Sequence, residues 1–330
     1  MFSKGFALAA ATVATIAVSA GLASAAQGPT CSANCITEYA IPIPPVYNGP
    51  FGLARGMGDD IWFGDQDTIS RIDKSGAITS YDTSPGAAVG WVTGGNGVMW
   101  FTERSTGKIG SVDNHGDVTE YAIPTPNSTP QAVVVDDSGI VWLTEQSGNK
   151  IGRLDPSTGS FTEYPVPTPG SAPLGLALGP DGALWFVERN AAKIARMTTD
   201  GSFTEYAVTP GSSPQRITVG PDGALWFTEL AGNKVGRITT DGAVTVYAVP
   251  GGPVGITTTP TDRALYVVLF NASAVARIAL DGTVTNEWTT PSPSSAPLQL
   301  TAGSGRELWF SESFLSPTGN KIGRLDLHAH

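Results

Sequence analysis

Six carboxylates recur at one place in this 330-residue sequence. Each stands three residues after the aromatic of a short apolar run: Asp65, Glu103, Glu145, Glu188, Glu229 and Glu312, with Leu269 interrupting the series after Tyr266. Carboxylates gathered round a common axis are hard oxygen ligands, suited to a divalent cation such as Mg²⁺ or Ca²⁺. The recurrence also has a structural reading, which is the preferred one. An acid repeated in nearly every copy of a unit holds the unit together, through backbone N–H groups or a lysine such as Lys108, Lys150, Lys193, Lys234 or Lys321. Function needs asymmetry, so positions that differ between copies are the more informative ones.

Those positions follow the proline that opens most copies. The next residue is Phe51, Val89, Gln131, Leu174, Gln215, Val254 or Leu298, and the one after is Gly52, Gly90, Ala132, Gly175, Arg216, Gly255 or Gln299. Gly or Ala is the rule at the second place, and Arg216 and Gln299 break it. With Gln131, Gln215, Phe51 and Trp91 they predict an amide-rich, partly aromatic mouth with one cation, suited to a neutral or anionic organic ligand. Simple filling of a channel is the competing reading. Acid–base chemistry at neutral pH falls most often to histidine. Only His115, His328 and His330 are present, one in a turn and two in the C-terminal tail, and all three read as exposed. No Ser-His-Asp set, phosphate-binding glycine loop or Cys/His zinc spacing occurs.

The elements that must position these residues are spelled most clearly at 220–250, GPDGALWFTELAGNKVGRITTDGAVTVYAVP. Asp-Gly pairs supply the positive φ angles of tight hairpin turns. Between them, Ala224–Thr228, Lys234–Thr239 and Ala243–Val249 read as strands. Nearly the same sentence stands at 179–208. The aromatics Trp62, Trp100, Trp142, Trp185, Trp226, Tyr266 and Trp309 are 38 to 43 residues apart, and Tyr39, Tyr81, Tyr121, Tyr164, Tyr206, Tyr247 and Trp288 are 40 to 43 apart. Two anchors thus agree on seven units of four strands, which is the period of a β-propeller blade. The first Thr37-Glu38-Tyr39 strand lacks three strands before it, and the last unit lacks its fourth. The N-terminal strand is therefore expected to complete the last blade, removing an exposed sheet edge.

Composition fits an all-β chain of short strands: 40 Gly, 25 Pro and only 15% charged residues. A net charge of −10 argues against nucleic acid or an anionic membrane as partner. Residues 1–26 read as a secretory signal peptide, with Lys4, an apolar stretch and small residues before Gln27. The remainder, 27–330, reads as one exported domain, a monomer with no membrane span. Cys31 and Cys35 then form a local disulfide in an oxidising compartment.

The Leu225-Trp226-Phe227-Thr228-Glu229 run with Asn233-Lys234-Val235-Gly236-Arg237-Ile238, and Tyr121-Ala122-Ile123-Pro124-Thr125-Pro126, resemble the virginiamycin B lyase (streptogramin B lyase) family over about residues 35–326. The resemblance implies a seven-bladed propeller. It also implies an enzyme that opens a cyclic depsipeptide antibiotic by elimination at the ester C–O bond, with Mg²⁺. The family's catalytic His follows the Pro of the innermost strand in the last blade, and a second His stands likewise in the blade before. Here those places hold Leu298 in Ala296-Pro297-Leu298-Gln299 and Val254 in Gly252-Pro253-Val254-Gly255, and the Glu before the last Pro is also missing. No catalytic residue carries over. The expectation is a propeller that binds a small molecule, peptide or glycan without this chemistry. The alternatives are a metal-dependent C–O lyase or lactone hydrolase on a cyclic ester, and a scaffold for another protein. More distant propellers, the gluconolactonase-like hydrolases and the NHL-repeat group, keep both enzyme and binding roles open, because fold does not determine function.

Overall fold

The computed structural model describes residues 35–41, 49–56, 58–312 and 320–327, together with a short strand, Ile16–Val18. That strand runs parallel to Val244–Ala248. The rest of the expected signal segment, Cys31 of the expected disulfide, His328 and His330 lie outside the described residues. Cys35 is buried.

Blade 5 shows how the turn chemistry becomes a sheet. Pro214–Val219 is innermost, followed outward by Leu225–Glu229, Lys234–Ile238 and Val244–Ala248, each antiparallel to the last. These strands match the expected ones to within a residue. The same arrangement occurs seven times, and no helix is present among the described residues. In blade 7 the outermost strand is the N-terminal Ile36–Ala40, paired with Lys321–Asp326. The ring closes as the incomplete first and last units require.

The second strand of each blade is buried along all or nearly all of its length, as in Leu225–Glu229 and Leu184–Glu188. It is covered by a neighbouring blade on each face, so it reads as continuously apolar rather than alternating. Its aromatic stacks on the aromatic of the outermost strand: Trp226 on Tyr247 at 5.6 Å, Trp185 on Tyr206 at 5.7 Å and Trp309 on Tyr39 at 5.7 Å between ring centroids. The turn glycine of the following blade meets that outer tyrosine. A Cβ on Gly242, whose φ is +94°, would lie 2.2 Å from Tyr206. The Asp-Gly turn therefore serves twice, supplying a left-handed backbone and letting the next blade close on the aromatic pair. The turn carboxylates are used as well. Asp222 accepts from Trp226 Nε1 at 3.0 Å and from Arg237 Nε at 2.6 Å, and Asp181 does the same for Trp185 and Arg196.

Candidate functional site

The channel mouth is made by a bulge. In blade 5 the inner strand pairs at Pro214 with Glu229 and resumes only at Ile217 with Phe227. The inner strands of blade 2 (Val89–Gly95), blade 3 (Pro130–Val135), blade 4 (Pro173–Leu178) and blade 6 (Pro253–Thr258) make the same slip, and that of blade 7 (Pro297–Ala302) a shorter one. In four blades the backbone N–H released at the bulge finds a hydroxyl on the second strand. Trp91 donates to Thr102 at 3.0 Å, Ala132 to Thr144 at 3.0 Å, Arg216 to Thr228 at 3.2 Å and Gln299 to Ser311 at 3.2 Å. The threonine hydroxyls then donate to the next blade, Thr102 to the Gln131 carbonyl at 2.9 Å and Thr228 to the Val254 carbonyl at 2.6 Å. In these four blades the bulge residue is held at the axis with its backbone N–H satisfied.

This bonding corrects the alignment expected for blade 2. Val89 pairs with Glu103 as Pro214 pairs with Glu229, so Val89 holds the proline place. Trp91, not Gly90, is the counterpart of Arg216. The segment lacks the proline that marks the start of the strand in other blades, which shifted the count by one. Three bulge residues are thus large: Trp91, Arg216 and Gln299. Each follows a blade whose bulge residue is glycine. A Cβ on Gly52 would lie 2.6 Å from the Trp91 Cα, one on Gly175 2.8 Å from the Arg216 Cα, and one on Gly255 3.0 Å from the Gln299 Cα. The small residue in one blade lets the backbone carrying the large residue of the next approach the axis.

The three large residues meet across the channel. The Arg216 guanidinium carbon lies 3.8 Å from the centre of the Trp91 ring, Nε donates to Gln299 Oε1 at 3.3 Å, and Nη1 donates to the Gln215 carbonyl at 2.9 Å. Beside them is a cavity of about 260 Å³ whose walls include Phe51, Trp91, Gln131, Gln215 and Arg216. Five of the six mouth residues expected from sequence therefore share one cavity, and the sixth, Gln299, braces Arg216.

Sequence reasoning missed a second set of lining residues. Arg104, Gln146, Arg189, Leu230 and Phe270 also face this cavity. Each stands immediately after a position of the acidic series (Leu269 in the case of Phe270). Successive strand residues point to opposite sides, so a repeated acid turned into the blade directs its variable neighbour to the mouth. That alternation was a readable signal. Arg104 places its guanidinium carbon 4.8 Å from the centre of the Phe51 ring, Gln146 accepts from Gln131 Nε2 at 2.8 Å, and Arg189 Nε donates to Ser213 Oγ at 3.4 Å. Burial pulls the Arg104 guanidinium below its usual range, and burial followed by repulsion from Arg189 and Arg104 does so more strongly for Arg216.

The acidic series itself is not in the mouth. Asp65, Glu103, Glu145, Glu188, Glu229 and Glu312 are all buried beneath the loops that join the blades. Most of the glutamates face a second carboxylate from the outermost strand of the same blade. That outer carboxylate clamps the connecting loop: Glu205 accepts from the Thr168 N–H at 3.0 Å, the Thr168 hydroxyl at 2.8 Å and Lys193 at 2.6 Å. Glu163 does the same with Thr125 and Lys150, Glu120 with Ser84 and Lys108, and Glu38 with Ser292 and Lys321. The inner acids Glu145, Glu188 and Glu312 are pushed up to about 8, first by burial and then by these neighbours, and Glu103 to about 7. Burial alone raises Asp65 to about 6. Raised to about 8, Glu145, Glu188 and Glu312 are held in the protonated form at neutral pH beside the outer carboxylates. Blade 5 lacks the outer carboxylate. Its outer place is Val246, and Glu229 itself accepts from the Thr209 N–H at 3.1 Å and Ser212 Oγ at 2.7 Å.

These acids do not make the divalent-cation site considered above. They are spread round the ring, and among the described residues no three His, Cys, Asp or Glu side chains converge on a point. The mouth does not fit Mg²⁺ either. Every Asp and Glu of the chain falls among the described residues, none lines the cavity, and three arginines do. Hard cations need oxygen donors, preferably charged ones. Val254 and Leu298, at the family's histidine places, both line the cavity. His115 is exposed at the other end of blade 2, beside Asp113 at 3.3 Å.

Comparison with known proteins agrees with the geometry. The model of the virginiamycin B lyase family matches residues 28–158 and 86–330. A virginiamycin B lyase from Nocardia farcinica is 38% identical over 69 residues, a segment spanning 20% of this chain and 24% of that relative. The crystal structure of a virginiamycin B lyase from Staphylococcus aureus is 34% identical, covering 88% of this chain and 99% of its own, with a TM-score of 0.81. A catalytically inactive His-to-Ala variant of the Staphylococcus aureus enzyme, solved with quinupristin, matches over the same shares with a TM-score of 0.82.

Proposed function

The chain belongs to the virginiamycin B lyase family, and from that premise we propose that it is an exported member that binds a small organic ligand, or one side group of a peptide or glycan, at the channel mouth without the family's elimination chemistry. One observation carries this reading. None of the described side chains lining the cavity is a carboxylate, imidazole, thiol or amine able to take a proton at neutral pH. Elimination requires a base within hydrogen-bond reach of the proton removed. A single His-to-Ala change is enough to give the inactive Staphylococcus aureus variant, and here Leu298 and Val254 fill both family histidine places. A metal-assisted lyase or lactone hydrolase using the acidic series finds no support, because those acids are buried under loops and do not converge. The mouth retains what recognition needs: a partly enclosed volume, flat aromatic walls at Phe51 and Trp91, and amides at Gln131, Gln146 and Gln215.

Two measurements test this together. Purified protein incubated with quinupristin and Mg²⁺ is followed by chromatography, since elimination leaves the mass unchanged, and no ring-opened product is expected. A fragment library is screened by ligand-observed NMR against the native chain and a Leu174→Trp variant that fills the cavity. Hits lost in the variant support the reading. Opening of quinupristin by the native chain, or hits indifferent to the variant, would overturn it.

A further inference from the structure

We infer that the mouth is an oxyanion site, selecting ligands that carry a carboxylate, phosphate or sulfate group on a flat apolar body; this rests on the reading of the mouth as a ligand site. Arg104 of blade 2, Arg189 of blade 4 and Arg216 of blade 5 face one cavity of about 260 Å³. Elsewhere four inter-strand arginines pair with carboxylates, Arg196 with Asp181 at 2.7 Å, Arg237 with Asp222 at 2.6 Å, Arg277 with Asp262 at 2.7 Å and Arg324 with Glu307 at 2.9 Å, while Arg153 lies over the Trp142 ring with no ion pair among the described residues. Among the described residues, the three mouth arginines have no ion pair. The contrast is sharpened by composition. The chain carries 29 acidic residues against 19 basic ones, all the acids are described, and none lies at this cavity.

The arginines are held by neutral partners that leave donors to spare. Arg216 lies over Trp91 and bonds a Gln299 amide oxygen and a backbone carbonyl, which uses only Nε and Nη1. Arg104 lies over Phe51, and its buried Nε has no hydrogen-bond partner. Stacking fixes the plane of a guanidinium while keeping its N–H edge available for a planar or tetrahedral oxyanion. Three like charges around a small, partly enclosed volume also repel one another, and a bound anion removes that repulsion. Across the cavity, Leu174, Leu230 and Phe270 supply an apolar wall for the body of the ligand. The negative net charge of the whole chain disfavours polyanions, which limits the class to small organic anions.

Calorimetric titrations with benzoate, phenyl phosphate and neutral benzamide, in a buffer free of competing oxyanions, test the inference. Benzoate or phenyl phosphate should bind at least tenfold more tightly than benzamide. The preference should fall at least tenfold in Arg216→Gln and in Arg189→Gln; Arg189 is exposed, so its variant keeps the fold if Arg216→Gln does not. The stronger of the two anions identifies the geometry of the group recognised. If benzamide binds as well as the anions, or neither arginine variant weakens them, while binding is still lost in Leu174→Trp, oxyanion selection is wrong and the mouth remains a ligand site. If none of the three binds, or binding ignores Leu174→Trp, both the inference and the reading beneath it fall.

Discussion

Replacing Glu188 with glutamine should flatten the alkaline side of this protein's stability profile. The Glu188 carboxyl is fully buried and pushed to about 8 from an ordinary value of 4.5, by burial first and then by the Glu205 carboxylate. The native state therefore holds a proton that the unfolded chain releases above about 4.5. The stabilisation is complete below that pH, declines as pH rises, and is gone above about 8. At about 1.4 kcal/mol per pKa unit the ceiling for this one group is roughly 5 kcal/mol, and relaxation around the new charge brings it to about 2–3 kcal/mol. Glutamine has nearly the same shape, does not ionise, and can donate its amide to Glu205. Urea unfolding of the native chain and Glu188→Gln from pH 5 to 9 should show little difference at pH 5 and a growing advantage for the variant, about 2–3 kcal/mol at pH 9. Glu205→Gln provides the counterpart. It removes the charge that helps raise Glu188, so the alkaline decline shrinks. It also removes a carboxylate that Lys193 and Thr168 hold below its usual range against the cost of burial, so the stability that this carboxylate contributes above its unfolded pKa, and loses on acidification, disappears. A difference between native and Glu188→Gln that stays constant with pH would refute the proton assignment.

Two further outcomes follow from the scaffold. Thr228→Val should lower the unfolding free energy by about 2–3 kcal/mol, because the Arg216 N–H and the Val254 carbonyl both lose their partner; Thr228→Ser should recover most of it, and equal stability of the two variants would show that the bulge bond is dispensable. Removing residues 1–40 takes away the outer strand of blade 7 with the Glu38 clamp on Lys321 and Ser292. Light scattering should then show association through the bared Lys321–Asp326 edge, and a stable monomer would count against closure by the N-terminal strand.

Much of the scaffold was legible because it repeats. The Trp–Tyr spacing counted the blades, and the missing fourth strand at one end with the surplus strand at the other located the closure. Repetition also flagged the acidic series as scaffold, although its partners were less visible. Glu188 meets Glu205 from the second and fourth strands of one blade, and nothing local to either residue announces the pairing. The mouth was read through its exceptions, Arg216 and Gln299, and Trp91 was included without its true register being recognised. Arg104 and Arg189 each stand one residue after a repeated acid, where only strand alternation marks them as facing the mouth.

Period, turn chemistry and strand alternation are local properties, so the seven-bladed ring and the inward or outward sense of each strand were written along the chain. The character of the mouth was not. Trp91, Arg216 and Gln299 come from blades far apart in sequence, and they touch only because ring closure and the bulges carry them to one axis. Whether an arginine there is matched by a carboxylate depends on which neighbours the ring supplies. The folded chain directs every acid elsewhere, turning a feature that read as one cation among amides into a cluster of three unpaired guanidinium groups.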